Sequence, residues 1–179
     1  MRSTLIVMLF FIVLQMEAQD SIHKEYTIVS NSKKVLISTQ PYKSGQLNGT
    51  VKYYYENGHV FIKVPYRNGK MEGIKKAYFE NGKLQNRSTF KNDIQIGVEK
   101  VYYPSGILRY EIPYQDGQIH GNQKEYYENG KLMNEVPFQN GMPTGWIKEY
   151  SEKGEIIYEG HVRSTNHQDI EMESPPTQE

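Results

Sequence analysis

From Val60 onward the chain alternates in character. Val60, Ile62, Val64 and Tyr66 are apolar or aromatic, and most positions between them are polar. The pattern returns at Leu84 and Phe90, at Leu108, Tyr110, Ile112 and Tyr114, at Leu132, Val136 and Phe138, and at Ile156 and Tyr158. Lys63, Lys83, Gln85, Arg87, Arg109, Glu111, Lys131, Glu135 and Glu159 occupy the alternate positions. Period-two alternation is the mark of an antiparallel sheet with one face packed and one wet. Asn86, Ser88 and Asn134 interrupt the apolar row, so the predicted buried stripe is narrow.

The strands recur at a fixed spacing. Gly58, Gly82, Gly106, Gly130 and Gly154 fall 24 residues apart, as do Gly49, Gly73, Gly97, Gly121 and Gly145, and Tyr54, Tyr78, Tyr102, Tyr126 and Tyr150. A strict period in this range signals a repeat array. The units are 41–64, 65–88, 89–112, 113–136 and 137–160. Each carries one turn signal of the Asn68-Gly69 kind and another of the Glu56-Asn57-Gly58 kind, leaving two strands of ordinary length. Pro104 before Ser105-Gly106 points to a three-residue loop, because proline suits the first central position of a type I turn and glycine then takes the left-handed residue. Tyr54 is then expected opposite Val60, with even-numbered positions sharing a face. Pro65, Pro113 and Pro137 are expected at strand ends. The predicted fold is all-β, an elongated single-layer antiparallel meander of repeated hairpins about ten to twelve strands wide.

Residues 65–84 read Pro-Tyr-Arg-Asn-Gly-Lys-Met-Glu-Gly-Ile-Lys-Lys-Ala-Tyr-Phe-Glu-Asn-Gly-Lys-Leu, and the frame G-x-x-K-x-Y-x-x-x-G is present in all five units. This unit resembles a MORN repeat of the variant bacterial type, over residues 41–160. The resemblance implies hairpins laid side by side in a twisted sheet and brings no catalytic residues. Bacterial members are commonly labelled toxin–antitoxin antitoxins, and eukaryotic relatives act as scaffolds, dimerisation modules or proposed lipid-binding surfaces. An antitoxin of that kind belongs in the cytoplasm, whereas this chain begins like an exported protein.

Residues 1–19 read as a signal peptide: Arg2, an apolar run from Leu5 to Leu14, then a polar stretch to Gln19. The run is about half of the roughly 20 residues a spanning helix needs. The expected location is therefore periplasmic or extracellular. Residues 20–40 read as degenerate capping strands for the sheet edge, and 161–179 as an acidic disordered tail.

Composition removes several functions. Cysteine is absent, which excludes disulfides, thiolate metal sites and thiol nucleophiles. The 21 basic and 21 acidic side chains balance, so net charge implies neither a nucleic acid nor another polyanion. A lipid partner is not favoured, because residues 20–162 carry only +3 with no basic cluster expected. The five histidines, His23, His59, His120, His161 and His167, keep no metal-ligand spacing, and no phosphate-binding or hydrolase motif occurs. No catalytic, cofactor or metal residue is assigned. The recurring lysine and tyrosine of each unit are best explained by packing, with the lysine stem covering the ring. Candidate interaction residues are those on an expected second face, Tyr55, Phe79, Tyr103 and Tyr127, together with Trp146, the one tryptophan. The expectation is a non-enzymatic scaffold for another protein, with toxin inhibition or envelope lipid binding as alternatives and homo-oligomers possible.

Overall fold

A computed structural model describes residues 20–29, 33–165 and 169–173; the expected signal peptide lies outside the described residues. The strands are β1 (Ser21–Val29), β2 (Lys33–Lys43), β3 (Gln46–Leu47), β4 (Gly49–Tyr54), β5 (Val60–Arg67), β6 (Lys70–Met71), β7 (Gly73–Tyr78), β8 (Leu84–Lys91) and β9 (Ile94–Tyr102). They continue as β10 (Leu108–Gln115), β11 (Gln118–Ile119), β12 (Gly121–Tyr126), β13 (Leu132–Gln139), β14 (Met142–Pro143), β15 (Gly145–Tyr150), β16 (Ile156–Thr165) and β17 (Asp169–Glu173). All 17 join one antiparallel sheet in which each hairpin pairs with the next. The all-β repeat architecture expected from the sequence is what forms. β1 and β2 form a hairpin at the edge where capping strands were expected, and β17 adds a further strand at the other edge. Residues 161–165 and 169–173 are therefore strand, where the sequence suggested the start of a disordered tail.

Two kinds of turn alternate. Ser44-Gly45, Asn68-Gly69, Asn92-Asp93, Asp116-Gly117 and Asn140-Gly141 have positive φ at both residues, the two-residue type I′ hairpin that suits the strand twist. At the other end of the unit, Tyr55 donates its N–H to the His59 carbonyl and Gly58 donates to Tyr55, closing the predicted three-residue loop with Gly58 at φ 86°. Tyr54 pairs with Val60 as expected.

The face assignment needs correction. Beyond Tyr54–Val60 the ladder slips by one residue, and Tyr53 pairs with Ile62. The same bulge recurs at Ala77/Tyr78, Glu125/Tyr126 and Glu149/Tyr150. One extra residue inverts the parity of facing positions. Even-numbered residues of β5 therefore share a face with odd-numbered residues of β4, not with even-numbered ones. Val51 opposite Val64 forms the best-buried pair, at 2% and 7% exposure. With Ala77, Ser88 and Ser38 they form the narrow core on what we call the back face. Ser38 is fully buried and donates to Glu25, which satisfies its hydroxyl.

The prolines are corrected too. Pro65, Pro113 and Pro137 lie inside β5, β10 and β13. They are tolerated because the facing strand bulges away from them, so no ladder donor is missed. Glu72, His120 and Thr144 instead donate N–H to the carbonyls of Pro65, Pro113 and Pro137.

Candidate functional site

The front face, opposite the core, is ordered by register. One row of directly paired residues runs Lys52–Lys63–Lys76–Arg87–Lys100–Glu111–Lys124–Glu135–Lys148–Glu159, one residue from each successive strand path. The first strand of every unit supplies lysine. The second strand supplies Lys63 and Arg87 in two units, then Glu111, Glu135 and Glu159. In the later units the row is neutralised by ion pairs Lys100–Glu111 at 2.7 Å, Lys124–Glu135 at 3.7 Å and Lys148–Glu159 at 3.2 Å. Among the described residues no ion pair serves Lys52, Lys63, Lys76 or Arg87. The neutral net charge concealed this asymmetry. Residues 41–100 hold 11 basic and 5 acidic side chains, whereas 101–160 hold 5 basic and 9 acidic.

Tyrosines flank the row on one side. Lys63 sits 5.3 Å from the Tyr78 ring centre, and the Tyr126 hydroxyl donates to Glu111 at 3.0 Å. The hydrogen bond from Lys100 is the largest influence on Glu111 and holds its carboxyl below the usual carboxylate range; burial opposes this and Tyr126 reinforces it. Its contribution to stability is thus present above that range and is lost as pH falls through the folded-state pKa. Tyr126 moves the other way, from 10.0 to about 12, first through burial and then through Glu111. That contribution is complete below the unfolded pKa of 10.0 and is lost as pH rises toward about 12. On the row's other side, Ile74, Val98 and Trp146 share one position of their units and remain exposed at 46%, 43% and 43%. A groove of about 290 Å³ runs over this mixed surface, lined by Val98, Lys100, Glu111, Pro113, Asn122 and Lys124.

The predicted aromatic row has a different placement. Tyr55, Tyr103 and Tyr127 are half-buried and donate their hydroxyls to the backbone carbonyls of Tyr78, Tyr126 and Tyr150, at 2.7, 2.8 and 2.7 Å. Each bond crosses to the next unit, so these side chains staple the array. Nor is the row a second face: Arg109 lies over both the Tyr103 and Tyr110 rings and pairs with Glu125, which places Tyr103 with the back-face residues. The bulge again explains the difference. Phe79 is half-buried at the same position but has no hydroxyl. Phe79→Tyr is expected to add the missing bond to Tyr102 and raise stability by about 1 kcal/mol, with Tyr103→Phe losing a similar amount. Urea unfolding of both variants checks this; equal midpoints would show that the hydroxyls contribute nothing. Trp146 stays exposed, its ring edge-on to His161 at 5.0 Å.

A sequence profile of the MORN repeat variant matches residues 47–68, 71–92, 95–116 and 119–140. The chain belongs to the MORN repeat variant family. No curated protein matches the sequence. β15 and β16, beyond the four matched repeats, show the same pairing and bulge. The glycine of the MORN frame explains itself in this geometry. Gly73 and Gly121 have φ of 114° and 110°, and a Cβ there would stand 3.4 and 3.2 Å from the rings of Pro65 and Pro113. MORN repeats are typically non-catalytic. Among the described residues no three of His, Asp and Glu cluster as metal ligands would, and no helix is long and apolar enough to cross a membrane.

The lysine column and Trp146 were legible in the sequence, but the row that those lysines form with Lys63, Arg87, Glu111, Glu135 and Glu159 was not. Only the change along one column is visible in the chain: the residue at the place of Lys63 passes from cation to carboxylate as Lys63, Arg87, Glu111, Glu135 and Glu159, while the lysine column never changes.

Proposed function

We propose that this MORN protein is an exported, non-enzymatic scaffold that holds another protein against its front face. The observation that carries this is the line of Ile74, Val98 and Trp146, each more than two-fifths exposed on the front face of the sheet. Exposed apolar side chains brought into register and bordered by polar groups have the composition of a protein-binding patch. The leader-like residues 1–19 support export, and the family's typical lack of catalysis supports a binding role.

The test is capture. Tagged mature protein is incubated with envelope extract beside the double variant Ile74→Ser, Trp146→Ser. A partner held by the native chain and released by the variant, with both unfolding at the same urea midpoint, is expected. Equal retention by both would remove the front face from the function. Recovery of a toxin would turn the scaffold into an inhibitor using the same face.

A further inference from the structure

The five cations Lys52, Lys63, Lys76, Arg87 and Lys100 stand on successive strands in direct register. Neighbouring strands are about 4.8 Å apart, so the row spans roughly 19 Å. Like charges directly opposite one another destabilise a sheet. The same scaffold has a ready remedy, since Glu111, Glu135 and Glu159 occupy the position of Lys63 and Arg87 in later units and pair with their lysines. The first two units forgo it. A local rule broken where the fold itself offers the repair marks a functional site more often than a structural one.

Resting on the scaffold reading, we propose that this cationic half of the front face binds an extended acidic segment of the partner protein, laid across the strands. Charge complementarity selects acid. The surroundings select protein: exposed Ile74 and Val98 lie along one side of the cations and the Tyr54 and Tyr78 positions along the other. A polypeptide of alternating acidic and apolar residues satisfies both kinds of surface, whereas a phosphate polymer offers nothing to the aliphatic side. Glu56, Glu72, Glu80 and Asp93 lie in loops or bulges, and Glu99 bonds Asn86 and Gln95 on the back face. In the strands from β4 through β8 the front face thus presents Lys52, Lys63, Lys76 and Arg87 with no ion pair among the described residues, and Lys100 on β9, paired with Glu111, closes the cationic half. The later units, already neutralised, would contribute Trp146 but no charge selection.

The experiment titrates the mature protein with a fluorescent peptide of alternating glutamate and leucine, with its glutamine–leucine analogue, with long-chain polyphosphate and with phosphatidylglycerol vesicles. The glutamate peptide is expected to bind, and to weaken at least tenfold on going from ~0.1 M to ~1 M salt, where the screening length shrinks from about 10 to about 3 Å. Lys63→Glu with Arg87→Glu should weaken it at least tenfold while leaving the urea midpoint unchanged or higher, because the substitutions recreate the alternation of the later units. A purely structural role for the cations predicts the opposite midpoint shift. Failure of the glutamate peptide to bind, equal binding of the glutamine analogue, or insensitivity to the double substitution would overturn the proposal. So would tighter, equally Lys63/Arg87-dependent binding of polyphosphate or vesicles. An envelope partner released by the Ile74/Trp146 variant but kept by Lys63→Glu, Arg87→Glu would leave the scaffold standing and remove the acidic segment.

Discussion

Gly121→Ala is expected to destabilise the protein by about 3 kcal/mol, while Gly97→Ala costs only about 1. Both glycines occupy the same position of the MORN unit, yet their surroundings differ. Gly121 has φ 110°, outside the left-handed basin that alanine tolerates, and its new methyl would meet the Pro113 ring at 3.2 Å. Backbone strain of that kind is worth roughly 1–3 kcal/mol, and the contact with a ring fixed inside a strand adds to it. Gly97 has φ 70°, which an L-residue reaches for roughly 1–2 kcal/mol, and nothing lies within 4 Å of its added methyl. The unit of Gly97 has Thr89 where the others have Pro41, Pro65, Pro113 and Pro137. Urea unfolding of the two variants measures the difference. Adding Pro113→Ala to Gly121→Ala should recover only the contact part, since the φ strain remains. Equal losses at both glycines would show that the proline contact is irrelevant.

Val51→Asp should have an effect of similar size by another route. Val51 is 2% exposed and faces Val64 at 7% in the narrow back-face core. An ionised carboxylate there loses its water and gains no partner, which costs on the order of 3 kcal/mol or more. Burial would raise its folded-state pKa above the unfolded one. The penalty is therefore complete at neutral pH and shrinks as pH falls through the raised pKa and the group enters the fold neutral. Unfolding of Val51→Asp and the native chain at pH 7 and near pH 4 reads this directly. The same substitution at Val98, 43% exposed on the front face, should change stability little. A pH-independent loss at Val51 would mean that the site is wetter than its burial indicates.

These two positions also show how far the sequence reached. The repeat length, the two turns per unit, the three-residue loop ending in a left-handed glycine and the pairing of Tyr54 with Val60 were all legible, because turn chemistry is local and recurs in every unit. Those features determine an all-β hairpin array without any reference to distant residues. The back-face stripe on the second strands was equally legible from Val64 and its counterparts.

Tertiary structure alone decided what faces what. A single bulged residue after each three-residue loop inverts parity, and this moved Tyr103 from a supposed second face to the side of Tyr110. Its hydroxyl bond to Tyr126 then shows it serving the array itself. The cation row was hidden for the same reason. Lys52, Lys63 and Lys76 lie 11 and 13 residues apart, and no periodicity in the chain marks them as neighbours. Hydrogen-bond register, fixed by the bulges and by the bend at each proline–glycine pair, makes them adjacent. Composition reports a sum, which for this chain is zero, whereas register sets where each charge stands and so what the surface can hold.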